Sequence, residues 1–136
     1  AVENTEELNL SHPDVTSCKT ELLEDALQNN YDYLICDELT QKVAYKIIES
    51  LKSFNGSILT IIASSYRQAL NRLTFFICIE NKLGTKKALE LVANNIDVVV
   101  ELGEWIDRKR RLIKIIEIVG VEGGEIKTQQ VISFGN

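Results

Sequence analysis

Methionine is absent from this chain of 136 residues, proline and histidine occur once each, and there are only three cysteines. The missing initiator methionine leads us to expect a processed or cut chain, a fragment of something longer. Cys18, Cys36 and Cys78 are odd in number and form no CxxC pair. That argues against a disulfide framework or a thiolate zinc site, and for buried free thiols. The lone His12 precedes Pro13 with no second ligand type spaced beside it, so neither a metal ligand nor a base is expected there. Long apolar runs are lacking too. Stretches such as Phe75–Ile79 fall far short of the roughly 20 residues a spanning helix needs. The opening AVENTEELNL has neither the basic nor the apolar region of a signal peptide. Positive charge is in deficit, with 15 Lys+Arg against 20 Asp+Glu and a net charge of −5. A general nucleic-acid binder is therefore not expected, because phosphate contacts need clustered positive charge. A cytoplasmic protein fits these absences.

What is present suits one globular domain. The chain is 45% hydrophobic and 26% charged, enough to bury a core and too balanced for disorder. Apolar runs and helical periodicities alternate. Leu22–Leu27 reads as a short helix, and Tyr33–Cys36, entered from Asp32 and ended by Asp37-Glu38, as a strand covered on both faces. Val43, Ile47, Ile48 and Leu51 repeat at helical spacing until Asn55-Gly56. Ser57–Ala63 is a second buried strand, and Ala69, Leu70, Leu73 and Ile77 mark a helix capped near Ser64-Ser65. Leu89, Leu91 and Val92 mark another, opened by Gly84-Thr85 and stopped at Asn94-Asn95. Beyond it, Ile96, Val98, Val100 and Leu102 alternate as a strand does, and Leu112–Val121 turns at Gly123-Gly124 into Ile126–Phe134. The expected fold is a single α/β domain over residues 1–136, with a βαβ core over 1–95 and an antiparallel β meander over 96–136.

In open α/β sheets ligands collect at the carboxyl ends of strands. Two acidic clusters fall there: Glu3, Glu6 and Glu7 after a first short strand, and Asp37-Glu38 after the second. An apolar strand ending in Asp-Glu has the form of a Walker B element, where one carboxylate helps hold Mg²⁺ and the next polarises the attacking water. Taken alone, charged strand ends are usually just solvated.

The ordered series of segments narrows this. Val2–Leu10 with His12-Pro13 resembles an Asp box, I-E-D-T-x-E-L, and Asp32–Glu38 resembles D-x-I-I-V-G-E. Asn55–Ala63 resembles the His-box strand G-S-x-x-T-x-H-A, and Ser65–Leu73 resembles S-P-R-x-A-L-x-R-L. Ile96–Leu102, Arg110-Arg111 and Ile116–Gly120 resemble the closing strands of the same domain. Together they resemble the ATPases of type II/IV secretion and type IV pilus assembly, nearest the Tad/Flp pilus branch. The resemblance implies the C-terminal part of the motor domain, a partial RecA-like P-loop NTPase core in three layers around a mostly parallel sheet. It implies Mg-ATP as cofactor, a ring-shaped hexamer of homologous subunits, and secretion or pilus machinery at the inner membrane as partner. It makes Glu38 the carboxylate that orders water and Glu3 a second acidic group, both toward Mg²⁺, with Asp37 beside them at the nucleotide. Arg67 and Arg72 match the helix arginines, in a subunit-interface or structural role.

The departures matter as much. The loop G-x-x-x-x-G-K-[ST] does not occur, Ile62 stands at the His-box histidine, and Thr40 stands where an arginine follows the Walker B Glu. Asn4 replaces the Asp-box aspartate, and Asp37 replaces a glycine. The chain alone is therefore expected to be inactive and to bind ATP weakly or not at all. A receiver-like signalling module is a second reading, with Asp37 as phosphoacceptor, Thr60–Ser64 following a neighbouring strand, and Lys82 or Lys86 as the cation. A non-catalytic assembly module is a third. Trp105 reads as a packing anchor, and Arg108–Arg111 as a solvated hairpin edge that discourages strand pairing.

Overall fold

Short apolar runs closed by polar residues build a parallel sheet in the first part of the chain, and β-branched runs build an antiparallel one in the last. The computed structural model describes residues 2–3, 18–19, 27, 31–104 and 108–134. The chain forms two compact units, Ala1–Ile62 and Ala63–Asn136. The readings of His12-Pro13, of Asn4, Glu6 and Glu7, of Trp105, and of a helix over Leu22–Leu27 (apart from helical Leu27) lie outside the described residues.

The first unit contains β1 (Val2–Glu3), β2 (Cys18–Lys19), β3 (Tyr33–Asp37), α1 (Gln41–Ser50) and β4 (Gly56–Leu59). The strands form one parallel sheet in the order β2-β1-β3-β4. Parallel neighbours cannot be joined by a tight hairpin, and α1 is the crossover between β3 and β4. Its apolar spacing gives one buried stripe of Val43, Ala44, Ile47 and Ile48. A 3₁₀ turn at Leu51–Ser53 ends it. The Asn55 amide then donates to the Asp32 carbonyl at 2.6 Å, which hooks the helix exit to the start of β3.

Two expectations for this sheet need correcting. In β3, Leu34 and Cys36 are buried, but Tyr33 is 70% exposed, so the strand is not covered equally on both faces. The strand expected over Ser57–Ala63 runs only Gly56–Leu59, and Ile58 and Ile62 are 65% and 69% exposed. The ladder stops because its partner β3 stops at Asp37, where the chain turns. Apolar content alone does not distinguish a covered strand from a half-covered one.

The second unit contains α2 (Tyr66–Asn81), α3 (Thr85–Asn95), β5 (Val98–Glu104), β6 (Arg110–Glu122) and β7 (Glu125–Ser133). The strands form an antiparallel sheet in the order β5-β6-β7. Its core takes Leu70, Leu73 and Ile77 from α2, Ala88, Leu89 and Val92 from α3, and Ile116, Ile118 and Ile126 from the sheet. The β6–β7 hairpin closes on Gly123 and Gly124 at φ 61° and 78°. Two successive positive φ values are the geometry a two-residue hairpin turn requires, and glycine adopts them without steric cost. In β5 the alternation is real but points the other way from a buried apolar face. Val98, Val100 and Leu102 are 49%, 54% and 64% exposed, while Val99 and Glu101 are half-buried.

Among the described residues, no helix is long and apolar enough to cross a membrane.

Candidate functional site

The carboxyl ends of the parallel strands come into register. Glu3 of β1 sits opposite Asp37 of β3 and opposite Lys19 of β2, and Cys36 sits opposite Leu59 of β4. Parallel pairing thus sets Glu3 beside Asp37-Glu38, although more than thirty residues of chain separate them. Thr60 follows β4 at the same end.

The turn after β3 has an unusual backbone. Glu38 adopts φ 63°, in the left-handed region, which costs a residue with a Cβ about 1–2 kcal/mol. The segment is held there by Thr60. The Thr60 amide donates to the Cys36 carbonyl at 3.0 Å, and its carbonyl accepts from the Leu39 amide at 2.6 Å. Its hydroxyl accepts from the Glu38 amide at 2.5 Å and donates to Asp37 Oδ1 at 3.0 Å. Glu38 and Thr60 are exposed and Asp37 is half-buried, and the Glu38 and Leu39 amides beneath the carboxylates are both bonded to Thr60.

This arrangement has a definite chemical range. Carboxylate oxygens at strand ends suit a hard divalent cation and its waters. A phosphate needs converging N–H donors, and here the Glu38 and Leu39 amides are already used by Thr60. Ile62, shortly after Thr60, contributes an apolar side chain that is 69% exposed. No group of three or more His, Cys, Asp or Glu placed to hold a metal ion occurs among the described residues.

The remaining predicted residues lie on other elements. Thr40 is the N-cap of α1 without a side-chain capping bond, and its carbonyl accepts from the Val43 and Ala44 amides. Arg67 lies on α2, where Nη1 donates to the Ile126 carbonyl at 2.7 Å and Nη2 to Thr128 Oγ1 at 3.3 Å. Its guanidinium also lies 5.6 Å from the Tyr66 ring centroid, and Lys114 Nζ lies 5.7 Å from it. Arg72 sits 5.4 Å from the Phe76 ring centroid, one turn along the same helix. Lys82 ends α2 in a left-handed conformation, and Lys86 is in the first turn of α3. A groove of about 420 Å³ between the start of α3 and the β6–β7 hairpin, lined by Leu89, Val121, Lys86 and Glu90 among others, includes none of the carboxylates singled out above.

Two contacts carry no signal in the sequence, although Thr60 itself falls in a segment the sequence singles out. Thr60 meets Asp37 across 23 positions, and only the strand register brings them together. Glu101 accepts from the Tyr66 amide at 2.7 Å, so a carboxylate from β5 caps α2. Ser65 and Gln68 complete that cap, the Ser65 hydroxyl accepting from the Gln68 amide and the Gln68 side chain accepting from the Ser64 amide.

The fold is thus a mixed α/β one, with a parallel sheet carrying acidic residues at the carboxyl ends of its strands and a separate antiparallel sheet. No known family profile and no curated protein matches the chain. Among solved structures, the VirB11 ATPase from the Brucella suis type IV secretion system, solved in complex with sulphate, is similar with a TM-score of 0.72 and 22% identity. The likeness covers 84% of this chain and 38% of that one, so the chain spans well under half of the neighbour's length. What is shared at this identity is the fold.

Proposed function

We propose that the chain is the C-terminal part, or a degenerate homologue, of the motor domain of a secretion or type IV pilus-assembly ATPase, on a partial RecA-like core. The observation that carries this is the register of Glu3 beside Asp37-Glu38 at the carboxyl end of a parallel sheet. The likeness to the VirB11 ATPase supports it. In this reading Glu38 and Glu3 would hold Mg²⁺, which when bound would supply an ordered, polarised water for attack on a phosphoryl group. Glu38 would orient that water and accept its proton. Asp37, already an acceptor for Thr60, shapes the turn and adds negative charge. Partners would be homologous subunits in a ring, with secretion or pilus machinery at the inner membrane on the cytoplasmic side.

The sequence has no G-x-x-x-x-G-K-[ST] loop to hold a triphosphate, so by itself the chain should bind ATP poorly. Calorimetry should find no micromolar affinity for Mg-ATP, and a clear micromolar constant would contradict this reading. When a phosphate-binding loop is supplied in the same polypeptide, Glu38→Gln should lower turnover by about 100-fold or more. Unchanged turnover would show that the site is vestigial and favour an assembly module.

One contact favours a second reading. The Thr60 hydroxyl lies 3.0 Å from Asp37 Oδ1, as a receiver-like module would place a hydroxyl beside its phosphoacceptor. The antiparallel sheet β5-β6-β7 stands where such a module would end in a helix. Labelling by acetyl phosphate, abolished in Asp37→Asn, would establish it.

A further inference from the structure

Glycine would adopt the φ of 63° at residue 38 freely, but a glycine has no carboxylate to offer a cation or water. Keeping a glutamate there requires something to hold the backbone, and Thr60 is that element. We infer that Thr60 is a positioning residue that sets the Glu38 backbone, and with it the point at which the Glu38 carboxylate leaves the sheet. Its role in chemistry rests on the reading of Glu38 as the carboxylate that orders water.

The geometry is one of consecutive donors. The Glu38 and Leu39 amides both reach Thr60, one to its hydroxyl at 2.5 Å and the next to its carbonyl at 2.6 Å. In an extended strand successive N–H groups point to opposite sides. Only a reversal at Glu38 lets both converge on one residue. The hydroxyl has a single proton. Because it accepts from Glu38, it directs that proton to Asp37 Oδ1, which stabilises the orientation in which it can accept. Asp37, where the resembled family has glycine, is therefore part of the latch. Every polar atom of Thr60 is engaged with residues 36–39.

The test is nuclear magnetic resonance of the whole chain as wild type, Thr60→Val and Thr60→Ser. Valine keeps the shape and removes the hydroxyl, and serine keeps the hydroxyl. In Thr60→Val the Glu38 Cα and Cβ shifts should move toward extended values, and its amide exchange should quicken about tenfold. Thr60→Ser should restore both. Left-handed shifts and unchanged exchange in Thr60→Val would overturn the inference. If that variant does not fold, Asp37→Ala decides, since it removes the acceptor of the Thr60 proton, and unchanged Glu38 exchange would overturn it equally. A Mg²⁺ titration separates this from the proposed function. The Glu38 amide should respond saturably in wild type and Thr60→Ser, and more weakly in Thr60→Val. No response in wild type would remove the Mg²⁺ role of Glu38, while the exchange data still decide the latch.

Discussion

Arg67 and Tyr45 illustrate how single side chains act here through geometry. The Arg67 guanidinium spans a β7 carbonyl and the Thr128 hydroxyl, a two-point contact that a planar fork makes and an ammonium does not. Arg67→Lys should lower stability by about 1–2 kcal/mol in denaturant titration, and a shift near zero would show that the contact is idle. Tyr45 on α1 bonds Glu49 one turn away. That hydrogen bond, then the carboxylate charge, then slight burial hold its proton above the usual phenol range. A raised folded-state pKa stabilises the fold fully below the unfolded value near 10, and this is lost as pH rises through the folded value. Tyr45→Phe should therefore flatten the alkaline decline in stability, as thermal melts across that pH range would show. Glu38 is the residue whose conformation was least legible beforehand. Its identity as a strand-end carboxylate is plain in the sequence, but nothing local to Asp37-Glu38-Leu39 signals a left-handed backbone. That depends on a partner 22 positions away.

At the scale of elements, the helices were the most legible. Each has its apolar stripe, and α2 starts where Ser65 places a capping hydroxyl. Ser65→Ala should cost about 1 kcal/mol, measured as a lower denaturation midpoint with an unchanged slope. The Gly123-Gly124 hairpin was equally readable, because two positive φ values leave few residue choices. Gly123→Val should destabilise by about 1–2 kcal/mol, and an unaltered thermal melt would show a relaxed turn. Strand faces were less legible. Period-two alternation identifies β5 as a strand but does not say which face is covered. The half-buried face is used by Glu101, whose carboxylate caps α2, so the apolar row of Val98, Val100 and Leu102 lies on the other side.

At the scale of the whole molecule, that apolar row matters for association. Exposed apolar rows on a sheet are association and aggregation hazards. Leu102→Asn should raise the concentration at which light scattering appears without lowering the melting temperature, because a residue 64% exposed contributes little to the core. A marked loss of stability would show Leu102 to be covered in solution.

By itself the sequence determined the order of strands and helices from Tyr33 onward, the hairpin glycines, the cap at Ser65 and the carboxylates at strand ends, because each is set by local spacing or backbone sterics; the short strand β2 at Cys18–Lys19 was not among them. Only the tertiary structure decided that Glu3 lies in register with Asp37, that Thr60 latches Glu38, that Glu101 caps α2, and that Arg67 is spent on β7. Those joins link residues 22 or more positions apart, and their partners are chosen by strand register and helix packing, quantities that no local window of residues contains.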